Sequence, residues 1–291
     1  MDFAALETFL AVAQTGSFSE AADRLHLTQP AVSKRIAALE AAFDARLFDR
    51  LGREVRLTEA GAALLPRARA LLAELEDARR ALEQLSDEIG GTLRLGTSHH
   101  IGLHRLPPIL RDFQARYPAV ELDLHFMDSE AACQAVLRGE LELGIVTLPP
   151  EPIPGLECHP VWPDPLVVAA SPDHPLAGRR SITLAELVEH PAILPSEQTY
   201  TRQIAESAFR AAGLQLRTRL STNYLETIRM LVAVGLGWSL LPRTLLDDQL
   251  VALPVPELAL ERTLGVVRNP RLTLGNAARR FLACLPGQSS T

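Results

Sequence analysis

Gln29, Ser33 and Lys34 are the first side chains whose spacing suggests chemistry, and that chemistry is recognition rather than catalysis. On a helical wheel starting at Gln29, the positions Gln29, Ser33, Pro30 and Lys34 fall at about 0°, 40°, 100° and 140°. They make one polar surface beginning at a helix N-terminus, which is what a reader of the DNA major groove needs. Thr28 stands at the head of that helix, and Arg35 on it could take a phosphate. A second basic group follows in Arg50, Arg53 and Arg56, suited to phosphates or an adjacent minor groove. The same residues fit a plainer description. Any αα-hairpin has a solvated face, and three arginines suit an ordinary exposed ribbon.

The elements that must hold these residues are written in the flanking pattern. Asp2 can cap a first helix in which Phe3, Leu6, Phe9, Leu10 and Ala13 recur at helical spacing and which Gly16 ends. Ser17 and Glu20 have the spacing of a capping box for a helix Phe18–Leu25, with Ala21, Ala22 and Leu25 inward. His26 and Leu27 leave room only for a sharp turn. Thr28 caps the next helix, with Pro30 in its first turn, where a missing N–H costs nothing. Val32, Ile36, Leu39 and Phe43 share one side of it as a buried stripe. Leu47–Arg50 and Glu54–Leu57 then read as two short strands around a turn at Gly52.

Through FLAVAQTGSFSEAADRLHLTQPAVSKRIAALE and LFDRLGREVRLTEAG the chain resembles the LysR-type transcriptional regulators. The resemblance is specific in its spacing here and weaker over the rest of the chain. It implies an α/β protein with an all-α/winged N-terminal head: a winged helix-turn-helix, a linker helix and two α/β subdomains of periplasmic-binding-protein type. It also implies activation or repression by context, tetramers, and an effector pocket at the positions matching Ser98, His100, Thr147 and Ser196.

Composition narrows the class independently. The 291 residues suffice for two or three domains. A hydrophobic content of 47% and a mean hydropathy of +0.08 exclude a disordered chain. No apolar run approaches the roughly 18 residues of a membrane span, and no export signal opens the sequence, so a cytoplasmic protein is expected. Cys133, Cys158 and Cys284 are odd in number and far apart, which predicts reduced thiols with no CxxC for metal or redox work. The net charge of -6 argues against general coating by nucleic acid. Residues 1–57 hold seven Lys/Arg against eight Asp/Glu. Attraction to DNA must come from where the charges stand, with few phosphate contacts per head and a need for paired heads.

Thr58 opens a long helix to about Leu85 or Glu88. Leu64, Ala68, Leu71, Leu75, Ala78, Leu82 and Leu85 alternate steps of four and three, an a/d seam. Its expected partner is the same helix of a second copy; the chain's own later domain is the alternative. A homodimer would set two reading helices over two-fold-related half-sites of double-stranded DNA. A homotetramer is the further state, and RNA polymerase a further candidate partner. Pro66 falls inside the pattern, and Gly90-Gly91 breaks it. The expected domains are a head over 1–58, a linker helix over 59–89 and an effector-binding domain over 90–291. In the last, strand–helix alternation predicts a parallel sheet flanked by helices. The resemblance has the chain cross near Pro163 and return near Val267, giving subdomain I about 92–163 and 267–286 and subdomain II about 164–266.

Ligands of such sheets bind outside the carboxyl ends of the strands. Thr97, Ser98, His99 and His100 follow the first strand and open a helix, where backbone N–H groups favour an anion. Thr147 ends another strand, Ser196 and Thr199 follow a third, and Thr222 with Asn223 caps a later helix. Capping alone accounts for most of these residue types. Arg105 and Arg202 are the candidate cations for an anionic ligand. HHxxxH at His99, His100 and His104 has no matched acid beside it and is not HExxH, so neither a metal nor a resident cofactor is expected. A protonated histidine there would favour an anion at lower pH. No GxSxG, P-loop or GxGxxG supports an enzyme. A solute-binding module without gene control is disfavoured by the reading head. The sequence therefore points to a transcriptional regulator that reads specific DNA and answers to a small, anionic co-inducer.

Overall fold

The structure is a computed structural model that describes residues 2–51, 54–85 and 89–287. Two compact units, one built on residues up to Glu83 and one on residues from Gln84, are taken separately. Among the described residues no helix is long and apolar enough to cross a membrane.

The N-terminal unit opens with α1 (Phe3–Thr15), whose N-cap Asp2 accepts from Ala4 N at 3.2 Å. Gly16 ends it at φ +64°, a left-handed geometry that favours glycine. Ser17 Oγ accepts from Glu20 N at 3.3 Å to start α2 (Phe18–Arg24). Among the described residues only this half of the expected capping box forms. The sharp turn after α2 is made by His26 at φ +54°, with Leu27 N bonded to Ala22 O at 2.9 Å. In α3 (Gln29–Phe43), Thr28 has the extended backbone of an N-cap, but its side chain makes no capping bond. Val32, Ile36 and Leu39 are buried as expected, whereas Phe43 is exposed, because α3 outruns the core it packs on. That core gathers Leu6, Phe9, Val12 and Leu47, with Phe48 of the ribbon 5.3 Å from the Phe9 ring.

Strands β1 (Phe48–Leu51) and β2 (Glu54–Leu57) pair antiparallel from Phe48↔Leu57 to Leu51↔Glu54. Gly52 and Arg53, expected at the turn, lie outside the described residues. Thr58 Oγ1 accepts from Gly61 N at 3.0 Å and starts α4 (Glu59–Glu83). The first part of the α4 seam serves the head itself: Ala68 is fully buried there and Leu64 partly. Farther along, Leu71, Leu82 and Leu85 are 44%, 68% and 84% exposed. The helix ends at Glu83, short of the expected limit; residues 86–88 lie outside the described set.

The C-terminal unit is built on a mixed seven-stranded sheet, not the wholly parallel one that alternation suggested, with a separate parallel pair formed by Ala192–Leu194 and Thr218–Ser221. The order of strands in the large sheet is Val251–Ala252, Glu157–Ala170, Leu260–Arg268, Leu143–Thr147, Gly91–Thr97, Val120–Phe126, with Ser239–Pro242 also on Glu157–Ala170. One lobe holds β3 (Gly91–Thr97), α5 (His99–His104), α6 (Leu106–Arg116), β4 (Val120–Phe126), α7 (Ser129–Leu137), β5 (Leu143–Thr147) and, after the return, α11 (Asn276–Leu282). Here β4 and β5 flank β3 in parallel. The other lobe holds α8 (Leu184–Val188), β7 (Ala192–Leu194), α9 (Tyr200–Ala211), β8 (Thr218–Ser221), α10 (Leu225–Ala233), β9 (Ser239–Pro242) and β10 (Val251–Ala252). Two long antiparallel strands join the lobes, β6 (Glu157–Ala170) and β11 (Leu260–Arg268).

β6 contains Pro160, Pro163 and Pro165, residues that a strand paired on both edges excludes. Over Glu157–Pro165 the strand pairs, among the described residues, only with β11, and its other edge takes β9 from Leu166 onward. Proline is tolerated on such a one-sided stretch, where its missing N–H is not needed. The return also differs from expectation. Leu264–Val267 already pair with β5, and Thr263 stands opposite Pro163, so the crossing comes earlier than Val267.

Candidate functional site

On the head, Gln29, Pro30 and Lys34 are exposed and Ser33 is half-buried on the first turns of α3. Gln29 Nε2 donates to Ser33 Oγ at 3.4 Å, so the two side chains are adjacent, as the wheel predicted. Thr28 is exposed beside them. Arg35 stands apart: it is half-buried and donates to Thr8 Oγ1 of α1 at 3.4 Å. On the ribbon, Arg50 opposes Val55 and Arg56 opposes Asp49. The Arg50 side chain and all of Arg53 lie outside the described residues. Glu40 is a residue that sequence reasoning missed. Its Oε1 accepts from Leu47 N at 2.7 Å and Phe48 N at 3.4 Å, and so ties the ribbon to α3.

In the second unit, a cavity of about 50 Å³ lies between the lobes. From the expected residues it takes Ser98, His99, His100, Thr147 and Thr199. The others are used elsewhere. Thr97 is buried and donates to Ile145 O at 2.9 Å, which holds β3 to β5. Ser196 and Thr222 do not line the cavity; Ser196 accepts from Thr199 Oγ1 through its carbonyl at 2.9 Å. Thr199 also caps α9, accepting from Arg202 N at 3.3 Å.

Neither expected cation reaches the cavity. Arg202 donates to Glu206 at 2.6 Å and Arg105 to Asp164 at 3.3 Å. The cation present is Arg262 of β11. It is buried; Nε donates to Asp164 Oδ2 at 2.7 Å and Nη1 to Thr201 Oγ1 at 3.0 Å. Nη2 has no hydrogen-bond partner among the described residues. Burial pushes the Arg262 pKa down, and the Asp164 carboxylate opposes that shift. The guanidinium remains charged, as arginine does in proteins.

The lobes are bridged by side chains that themselves line the cavity, Asp128, Glu130 and Asn223. Asn223 Nδ2 donates to Asp128 Oδ2 at 2.7 Å, and the Tyr200 N–H donates to Glu130. Burial raises the Glu130 pKa. His100 is held neutral: burial first, and the Arg262 charge second, lower its pKa to about 4. The gain of anion affinity expected at lower pH would therefore, for His100, need a pH near 4. His99 packs instead on aromatic rings, 4.7 Å from Tyr224 and 5.4 Å from Phe126.

Comparison with known proteins agrees with this architecture. A family model described as "Bacterial regulatory helix-turn-helix protein, lysR family" matches residues 3–62. A second, "LysR substrate binding domain", matches residues 86–289. The chain is 72% identical over 108 residues to an uncharacterized HTH-type transcriptional regulator in the ibpB-leuC intergenic region of Azotobacter vinelandii, covering 37% of this chain and 75% of that one. It is 34% identical over 291 residues to the uncharacterized HTH-type transcriptional regulator YeiE of Escherichia coli strain K12, covering 95% and 94%. Full-length CbnR, crystallised in complex with its target DNA, shares the fold with a TM-score of 0.67 at 22% identity, covering 98% and 99%. The relatives and the fold are those of regulators and not of enzymes. The chain belongs to the LysR family of DNA-binding transcriptional regulators, with a helix-turn-helix head and an effector-binding domain.

Proposed function

We propose that this regulator reads two-fold-related DNA half-sites as a cytoplasmic homodimer or homotetramer and responds to a small anion held between the lobes of its second unit. The observation that carries the effector class is Arg262: a buried cation on the cavity wall with Nη2 unpartnered among the described residues. Buried charges are normally fully hydrogen-bonded, and a carboxylate or oxyanion would complete this one. Ser98, Thr147 and Thr201 add hydroxyl donors around the same space. A volume near 50 Å³ is room for roughly three to four water-sized groups. That favours an inorganic oxyanion or a short carboxylate. No resident cofactor is part of this reading.

Gln29, Ser33 and Lys34 would contact base edges, with Arg50 and Arg53 on the backbone or minor groove. The CbnR complex with its own target DNA supports that placement by fold alone. RNA polymerase would be met at the promoter. Effector binding would favour the closed lobes and so shift how subunits pack, a rigid-body switch.

Thermal-shift screening of the full chain against small oxyanions and short carboxylates tests the effector class. A saturable rise in Tm is expected, and Arg262→Lys should weaken the apparent affinity about tenfold or more, because lysine lacks the planar fork. An equal response of the variant would reject Arg262 as the anchor.

A further inference from the structure

Sequence reading set HHxxxH aside for want of an acid, and the fold supplies one. Glu226, in the first turn of α10, brings Oε1 to 3.1 Å from His104 Nε2 and 3.5 Å from His100 Nδ1. The three donor atoms lie within 4.8 Å of one another. His100 and His104 are four residues apart on α5, which puts them on one helix face. Glu226 comes from the other lobe.

An independent observation concerns His100 itself. The residue is 3% exposed, and neither ring nitrogen has a hydrogen-bond partner among the described residues. Buried imidazoles normally use both nitrogens. Here one of those idle nitrogens faces a carboxylate and a second imidazole.

We propose that His100, His104 and Glu226 bind a divalent first-row transition-metal ion of the Zn²⁺ class, tying α5 of one lobe to α10 of the other. Two histidines and a glutamate are an established zinc set with an open fourth position. Tetrahedral ligands at 2.0–2.1 Å from zinc stand about 3.3 Å from each other. The two separations to Glu226 match that spacing. The separation between the imidazole nitrogens is the one that must shorten, and His104, 38% exposed, has room to swing inward. Imidazole ligands select against Mg²⁺ and Ca²⁺, which take oxygen ligands. Asp164, bonded to both Arg105 and Arg262, offsets one of the two positive charges nearby. The open position would hold water or a small anion. Because the ligands come from both lobes, the ion would resist their separation. The site stands whether or not the cavity proposed above takes an anionic effector.

Calorimetric titration of metal-stripped, full-length protein with Zn²⁺ tests this, with Co²⁺ as a spectroscopic stand-in. One saturable site per chain is expected, with the intense visible bands of four-coordinate Co²⁺ and a metal-dependent rise in Tm. His104→Ala and Glu226→Gln, both on accessible side chains, should each weaken Zn²⁺ binding by at least about 10-fold to 100-fold. Their metal-free melting curves check that the variants fold. Wild-type affinity in either variant would overturn the proposal, as would uptake by the wild type no greater than that of the double variant. Equal binding of Mg²⁺ would overturn the metal class.

Discussion

Cys133 illustrates how a side chain's chemistry follows from its place in the fold. It is fully buried on α7, and burial pushes its thiol pKa up to about 12. Only the thiolate reacts with alkylating agents or forms mixed disulfides. In native protein at mildly alkaline pH, Cys133 should therefore resist a maleimide until the chain unfolds, while the half-buried Cys158 and Cys284 are modified first. Mass spectrometry of the time course checks the order, and early labelling of Cys133 would contradict it. The same scale shows why Arg262 escaped sequence reading. It stands between Glu261 and Thr263 on β11, in no local motif, and meets Asp164 across 98 positions. Arg105 and Arg202 were more visible beside the expected ligand loops, but each is spent on a carboxylate.

At the scale of the element, the proposed division between affinity and specificity rests on α3. Its inner side is fixed by Val32, Ile36 and Leu39, and its first turns hold Gln29 and Ser33 outside the core. Replacing both Gln29 and Ser33 by Ala should cost about 1–3 kcal/mol on the specific operator and leave binding to random-sequence DNA, with its salt dependence, nearly unchanged. Competitive gel-shift titrations measure the two affinities. Equal loss on both DNAs would make these residues positioning groups only. Helix starts were legible because a cap acts within one turn: Asp2, Ser17 and Thr58 all make the bond their type predicts. Phe43 was misread because the wheel shows which side of a helix is apolar and cannot show where the neighbouring core stops.

For the whole molecule, the proposed assembly rests on the part of α4 that the head leaves uncovered. Leu71, Leu82 and Leu85 are exposed on one seam in the single chain. Exposed leucines at heptad spacing are the requirement for pairing with a like helix. A Leu71→Asp, Leu82→Asp variant should sediment as a monomer and lose cooperative operator binding while its head stays folded. A variant that remains dimeric would place the interface elsewhere.

Helices α1 to α3, the turn before α3 and the two short strands after it were determined by sequence alone. Each rests on caps and periodicities spanning only a few residues. The cleft was decided by tertiary structure. Arg262 with Asp164, Asn223 with Asp128, and Glu226 with His104 are 98, 95 and 122 positions apart. No local pattern encodes such meetings; they arise because β6 and β11 carry the chain out of one lobe and back, and so bring distant polar residues face to face.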